Sequence, residues 1–236
     1  MNVVRLAATL ALASALTTSC ARHDSRVSES QLPAVKPAPQ YVLTNQLGRS
    51  VTSASFGGKV QIVAFLFPYC TSYCPLIAST LVRFERGLKA THLNDRVRIV
   101  AFNVDPGGSG PPQLRAFMKE YGWNPDDQRW QFLTGSPAAI HRVVYHGYMV
   151  YYQKESLAQE ARAATRERKQ GVYRPQPTVE NKLADEAHVN YDVVHNDLLE
   201  VVGPQGRIRK IYDDAEKVSE QQLISVIREL LPAKTS

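Results

Sequence analysis

Residues 60–82 read VQIVAFLFPYCTSYCPLIASTLV, and this stretch decides the fold. Its first half, Lys59 to Phe67, is a continuous apolar run rather than an alternating one, as expected of a central parallel strand covered on both faces. Its second half reads as a helix. Pro75 suits the first turn, where its missing N–H costs nothing, and Leu76, Ile77, Leu81, Val82, Phe84 and Leu88 then recur at helical spacing to about Thr91. Cys70 and Cys74 sit between the two, where the strand runs out into the helix. If the turn joining them is helical, both sulfurs face one side, about one turn of rise apart.

The pattern continues outward on both sides. Tyr41 to Thr52 reads as a short hairpin turning at Asn45 to Gly48, and Gly57-Gly58 is a break. Arg96 to Val104 is a second buried strand, ending in Asn103-Val104-Asp105-Pro106 and the loop 107–112. A helix is expected from Gln113 to about Tyr121 and a short strand over Trp130 to Leu133. A helix N-capped by Ser136, with Pro137 at its first position, runs to about His146. Asp192 to Val202, a turn at 203–206, and Arg207 to Tyr212 form a closing hairpin, and Glu216 to Leu231 a last amphipathic helix. The order predicts a thioredoxin-like α/β fold with the cysteines at the C-terminal end of the first central strand. The stretch 151–190 breaks this rhythm. Between Lys154 and Lys182 it carries seven Lys/Arg against four Glu, with helix formers but almost no apolar stripe, then Gly171, Pro175 and Pro177. It reads as an insertion, a solvated helix and a loop; a plain surface excursion and a partner- or membrane-docking element are both consistent with it.

With 236 residues, 44% of them hydrophobic, the chain suits one globular domain, expected over residues 41–232. The net charge of +6 is scattered without a Lys/Arg run, which argues against nucleic acid. Residues 1–20 have the layout of an export signal: Arg5, an apolar stretch from Leu6 to Leu16 too short to span a bilayer, then small residues before Cys20. Cys20 has two readings, the lipid-modified first residue of a membrane-tethered lipoprotein, or part of a signal cut after Ala21. Residues 21–40, rich in Ser and Pro, read as a tether. The domain is then exported to a periplasm or cell envelope with two cysteines. A monomer is expected, since no heptad or exposed strand stands out.

A structural disulfide gains most by closing a long loop, and Cys70–Cys74 would close almost nothing. Reversible redox chemistry or metal binding accounts better for the pair. A thiolate at a helix start is favoured by the macrodipole, and two convergent thiolates suit a soft ion, Cu(I) above all, whereas Zn(II) wants four ligands. A third ligand widens the choice to Cu(II). His195, at the entry of the closing hairpin, is the candidate, against the alternative of an ordinary half-buried histidine. His23, His92 and His188 are less well placed, and His141 and His146, five apart, do not share an α-helical face.

The motifs Phe67-Pro-Tyr-Cys70-Thr-Ser-Tyr-Cys74-Pro75, Asn103-Val104-Asp105-Pro106 and Trp130-Gln-Phe-Leu-Thr-Gly135, with His195 ahead of Gly203-Pro204-Gln205-Gly206, resemble the Sco/SenC family. Its members are thioredoxin-fold, membrane-tethered copper proteins associated with assembly of the binuclear copper site of cytochrome c oxidase. The resemblance covers Tyr41 to Leu231 apart from the insertion. It implies Cys70, Cys74 and His195 as copper ligands. It also implies a place near the site for Asp105, in a supporting role or as a carboxylate capping the Pro106–Gly108 turn. Thr71-Ser72 replaces the family's frequent Pro-Asp, and Val194 replaces the Asp that often precedes the histidine, a change expected to loosen the imidazole. The resulting expectation is a copper chaperone that receives copper from a donor and passes it, from an exposed loop site, to an oxidase subunit or another acceptor. The rival is a thiol–disulfide oxidoreductase in which Cys70 attacks and Cys74 resolves; a peroxide-reducing thiol enzyme and an inert scaffold are further alternatives.

Overall fold

The apolar run becomes the middle of an eight-stranded sheet. The structure, a computed structural model, describes residues 32–231; the expected signal and Cys20 lie outside them. In chain order the strands are β1 (Lys36–Pro37), β2 (Val42–Asn45), β3 (Ser50–Thr52), β4 (Val60–Leu66), β5 (Val97–Asn103), β6 (Trp130–Thr134), β7 (Tyr152–Ser156), β8 (Tyr191–His195), β9 (Leu199–Val202) and β10 (Arg207–Tyr212). The main sheet is ordered β1-β10-β9-β4-β5-β6-β2-β3, with β4, β5 and β6 parallel and the remaining pairs antiparallel. All seven residues of β4 are buried, as a strand covered on both faces requires. The helices are α1 (Tyr73–Ala90), α2 (Pro111–Glu120), α3 (Pro137–His141), α4 (Leu157–Gln170), α5 (Lys182–Ala187) and α6 (Glu220–Leu230). This is the expected thioredoxin-like α/β arrangement.

Packing follows from the pattern. α1 buries Ile77, Leu81, Phe84 and Leu88 and packs against α6, with Gly87 at the crossing: a Cβ there would lie 2.0 Å from the Glu220 carboxylate. Phe65, Phe102, Tyr41 and Tyr148 form an aromatic cluster with ring centres 5.2–6.0 Å apart.

The structure departs from the expected layout in four places. The end of the stretch expected as tether joins the sheet: Lys36 and Pro37 pair with Ile208 and Arg207. α3 does not run on as an α-helix to His146. It is followed by a π-helix, Arg142–Tyr148, which ends at Met149 in a left-handed conformation. The expected strand from Asp192 to Val202 is two strands, broken at Asn196–Leu198. Only β9 pairs with β4 and β10, whereas β8 leaves the sheet and pairs with β7 in a separate two-stranded ribbon, Tyr152 opposite His195. The stretch 151–190 is therefore not one solvated helix and a loop. It begins with β7, and between that strand and β8 lie α4, none of whose residues is fully buried, a loop and α5.

Among the described residues one buried acid has neither carboxyl oxygen hydrogen-bonded. Glu200 on β9 is fully buried opposite Val63, and its carboxylate oxygens have no hydrogen-bond partner among the described residues. Burial raises its pKa to about 8, partly offset by Lys36. An acid whose folded pKa lies above its unfolded value weakens the fold progressively as pH climbs from the unfolded value toward the folded one. Glu200→Gln should therefore gain on the wild type between pH 5 and pH 8, by on the order of 2–3 kcal/mol, in chemical denaturation at the two pH values.

Candidate metal centre

The thiol pair is built by a loop rather than by helix periodicity. α1 begins only at Tyr73, so Cys74 is its second residue while Cys70 precedes it in a turn closed by Cys70 N–H to Phe67 C=O at 3.1 Å. The expectation that a helical turn aligns the sulfurs is thus corrected; the loop folds Cys70 back over the helix N-terminus. Ser72 stands at the N-cap but does not cap, because its hydroxyl lies 3.3 Å from Cys70 Sγ and its N–H donates to that sulfur at 3.4 Å.

Both cysteines are free thiols and both are buried, Cys70 3% and Cys74 0% exposed, which corrects the expectation of an exposed loop site. Their acidities diverge. The Cys70 thiol is lowered to about 6, mainly because Cys74 donates a hydrogen bond to it, with Ser72 adding to this against the cost of burial. The Cys74 thiol is pushed well up by burial and by that same proton it gives to Cys70; the Phe67 N–H, 3.4 Å from its sulfur, offsets only part. Near neutral pH the pair is one thiolate and one thiol.

His195, 121 residues from Cys74, brings its Nε2 to 3.6 Å from Cys74 Sγ, with its side chain 4% exposed. Its Nδ1 lies 3.0 Å from Asn196 C=O. A carbonyl only accepts, so Nδ1 carries the proton and the Nε2 lone pair faces the sulfur. Asp197 Oδ1 is 3.7 Å from the same Nδ1. The carboxylate missing before the histidine is thus supplied two residues after it, and the imidazole is not left loose. Burial raises Asp197 to about 6, against the pull of His195. Among the described residues no three His, Cys, Asp or Glu side chains already surround a common point as metal ligands. Cys74 gives its one proton to Cys70, and His195 Nε2 stands 3.6 Å from Cys74 Sγ, so the three side chains adjoin one another.

Asp105 is buried, and its side chain does not cap the Pro106–Gly108 turn. Oδ2 accepts from Tyr191 Oη at 2.8 Å and Oδ1 pairs with Lys154 Nζ at 3.3 Å, while the Lys154 ammonium sits 3.3 Å from the Tyr191 ring centre. Tyr191 and Lys154 belong to β8 and β7, so Asp105 ties the end of β5 to the ribbon that carries His195. Gly108 leaves the room for this: a Cβ would lie 2.1 Å from the carboxylate and 2.2 Å from the Tyr191 hydroxyl.

Sequence reasoning missed Asn181. It is 1% exposed; its Nδ2 donates to Pro68 C=O at 2.9 Å and Cys70 C=O at 2.8 Å, and its Oδ1 caps α5. Val179 N–H adds a 2.7 Å bond to Thr71 C=O. The insertion braces the cysteine loop, and an Asn ahead of a short helix signals only a cap in sequence. Between the loop and α4 lies a cavity of about 520 Å³, walled by Tyr69, Thr71 and Ser72 on one side and by Glu160 and Glu167 on the other.

The SCO1/SenC family model matches residues 29–232. The SCO1 protein homolog of Bacillus subtilis (strain 168) is 26% identical over 189 residues, 80% of this chain and 79% of that one. BsSco, a member of the Sco family of cytochrome c oxidase assembly proteins in which a disulfide switch has been identified, superposes with TM-score 0.59 at 24% identity, covering 84% of this chain and 96% of its own. Arabidopsis thaliana ScoI with copper bound gives 0.58 at 22%, covering 81% and 96%.

Ultraviolet thiolate absorbance of the reduced, metal-free protein should rise in two separated steps, one thiolate near pH 6 and the second above pH 9. Cys74→Ala should move the first step upward, toward an ordinary thiol, and by more than Ser72→Ala does. Asn181→Ala strips buried carbonyls of their donor and should cost about 2–3 kcal/mol in denaturation while also raising the Cys70 step.

Proposed function

The chain belongs to the SCO1/SenC family, and we propose that it is a copper metallochaperone of the cell envelope, holding its cargo between Cys70, Cys74 and His195. The observation that carries the reading is the approach of His195 Nε2 to Cys74 Sγ, with Nδ1 tied to the backbone. Two thiolates select Cu(I), and an imidazole with its lone pair presented inward extends the set to Cu(II). The copper-bound relative and the oxidase-assembly relative support copper as cargo and the copper site of cytochrome c oxidase as its destination. Tethering through a lipidated Cys20 rests on the sequence alone.

The split acidities make a definite statement about protons. Cys70 is already a thiolate near neutral pH and Cys74 a thiol, so Cu(I) entering the site displaces one proton, from Cys74. Delivery reverses this: acceptor ligands replace the sulfurs and Cys74 regains its proton. Oxidation of the pair by exchange with another disulfide, which leaves as two thiols, removes both thiolates and releases the ion.

A second reading is favoured by the low pKa of Cys70. The thiolate attacks a target disulfide, Cys74 loses its proton and attacks the mixed disulfide, and the products are a Cys70–Cys74 disulfide and a reduced target. That chemistry does not require His195, whereas the copper site does.

Metal stoichiometry and the visible spectrum of the reduced protein, beside His195→Ala, separate the two. One copper per chain, a thiolate-to-Cu(II) charge-transfer band that collapses in the variant, and about one proton released per Cu(I) near pH 7 are the expected results. Failure of both proteins to retain copper, with rapid disulfide exchange in each, would replace the chaperone with the oxidoreductase.

A further inference from the structure

In an α-helix, residues five apart point about 140° away from each other. The segment after α3 is a π-helix, and its last turn shows the wider closure, Met149 N–H bonding to Val144 C=O five residues back. This winding undoes the separation of His141 and His146. Their ring centres are 5.0 Å apart, with the planes at 79°.

That spacing, an edge-to-face ring contact, is also one that a shared metal ion allows. With metal–nitrogen bonds of about 2.0 Å, each ring centre lies about 3 Å from the ion, and two rings at angles between square and tetrahedral have centres about 4.5–5 Å apart. Both histidines are exposed, and among the described residues neither ring makes a hydrogen bond, so their nitrogens are uncommitted. Tyr145 stacks on His141 at 4.8 Å and 11°, covering a ring face and leaving the in-plane nitrogens accessible. The backbone beneath is held in place. Val143, Val144 and Tyr148 are buried, Lys36 Nζ donates to Gly147 C=O at 2.5 Å, and Gly147 packs so closely on Pro39 that a Cβ would lie 2.6 Å from it. A pair held this way loses little freedom when it closes on an ion.

We propose that His141 and His146 form a second metal site, taking a late divalent transition ion and Cu(II) most tightly. Imidazole suits Cu(II), Ni(II) and Zn(II), and Cu(II) heads the affinity order. Solvent completes the shell, because the described residues bring no third His, Cys, Asp or Glu to the pair. The site is one side chain removed from the ribbon that carries His195: the His141 ring centre is 6.2 Å from that of Tyr152, which stands opposite His195 in the β7–β8 register. Its ligands do not depend on thiol redox state, so the chain holds a Cu(II) ion there even when Cys70 and Cys74 form a disulfide. Only the choice of copper as the physiological ion rests on the reading of the thiol site; the pair itself does not.

The test uses the full chain carrying Cys70→Ser and Cys74→Ser, titrated with Cu(II) and followed by electron paramagnetic resonance. One Cu(II) with imidazole-nitrogen hyperfine structure is expected, and adding His141→Ala or His146→Ala should each weaken it on the order of a hundredfold, as loss of one arm of a two-point attachment does. Circular dichroism should be unchanged, since both side chains are at the surface. No bound Cu(II) in the chain carrying both serine substitutions, or binding that both alanine variants leave intact, would overturn the site. If the wild type holds Cu(II) only at the histidine pair and none at its thiols, the chaperone reading falls and this one stands.

Discussion

A two-stranded ribbon has too little buried surface to be stable alone, and here one carries an essential side chain of the candidate centre. β7 and β8 are fastened to the main sheet by the knot of Asp105, Tyr191 and Lys154. The buried carboxylate takes the Tyr191 hydroxyl and the Lys154 ammonium together, and Lys154 lies over the Tyr191 ring. Phe67, just past the end of β4, meets that ring at 5.8 Å, and Val193 is buried between half-buried neighbours. The knot is thus anchored on residues adjoining both the cysteine loop and the β5 end. It converts a separation of 121 residues into a 3.6 Å approach of His195 to Cys74.

The parts of this arrangement that rest on local pattern were legible in the sequence. The all-apolar β4 and β5 runs, the stripe of α1 and the Ser136-Pro137 helix start each depend on residues within one element, and the structure has them within a residue or two of expectation. Cys70, Cys74 and His195 were recognisable by type and motif, and the structure brings the three together. What was not legible depends on partners distant in the chain. β8 and β9 form one continuous apolar stretch, and only their pairing, with β7 and with β4, separates them. α4 buries no residue completely, so it has no stripe to read; the brace it leads to works through backbone bonds from Val179 and the side chain of Asn181. The wider winding after α3 depends on the buried anchors Val144 and Tyr148 and on the close contact of Gly147 with Pro39, which sits in the preceding strand region. His141 and His146, five apart and on different faces of an α-helix, therefore come into ring contact.

The thiol pair shows how burial can divide two identical groups. Cys70 receives hydrogen bonds from Cys74, Ser72 and the Ser72 backbone, while Cys74 receives only the Phe67 N–H and lies deeper. The first is made acidic and the second basic by one shared proton. The shared proton avoids two buried thiolates in contact, which would repel strongly in a low-dielectric site.

Closure then imposes a condition on exchange. With Cys70, Cys74 and the His195 side chain each less than one-twentieth exposed, an ion between them has no direct path to water. A group that takes it must first displace part of the cover. The Thr71–Ser72 segment is the piece that borders the cavity under α4, and it is held from that side by the Val179 bond. α4 turns Glu160 and Glu167 toward the cavity, and burial beside Asp192 and Glu155 raises the Glu160 pKa. An insertion whose overall balance is basic therefore puts carboxylates on the wall facing the cysteine loop. A cation or a basic segment entering there meets attraction from Glu160 and Glu167, whereas an anion meets repulsion. The same insertion that braces the thiol loop thus sets the sign of charge that can approach it from this side.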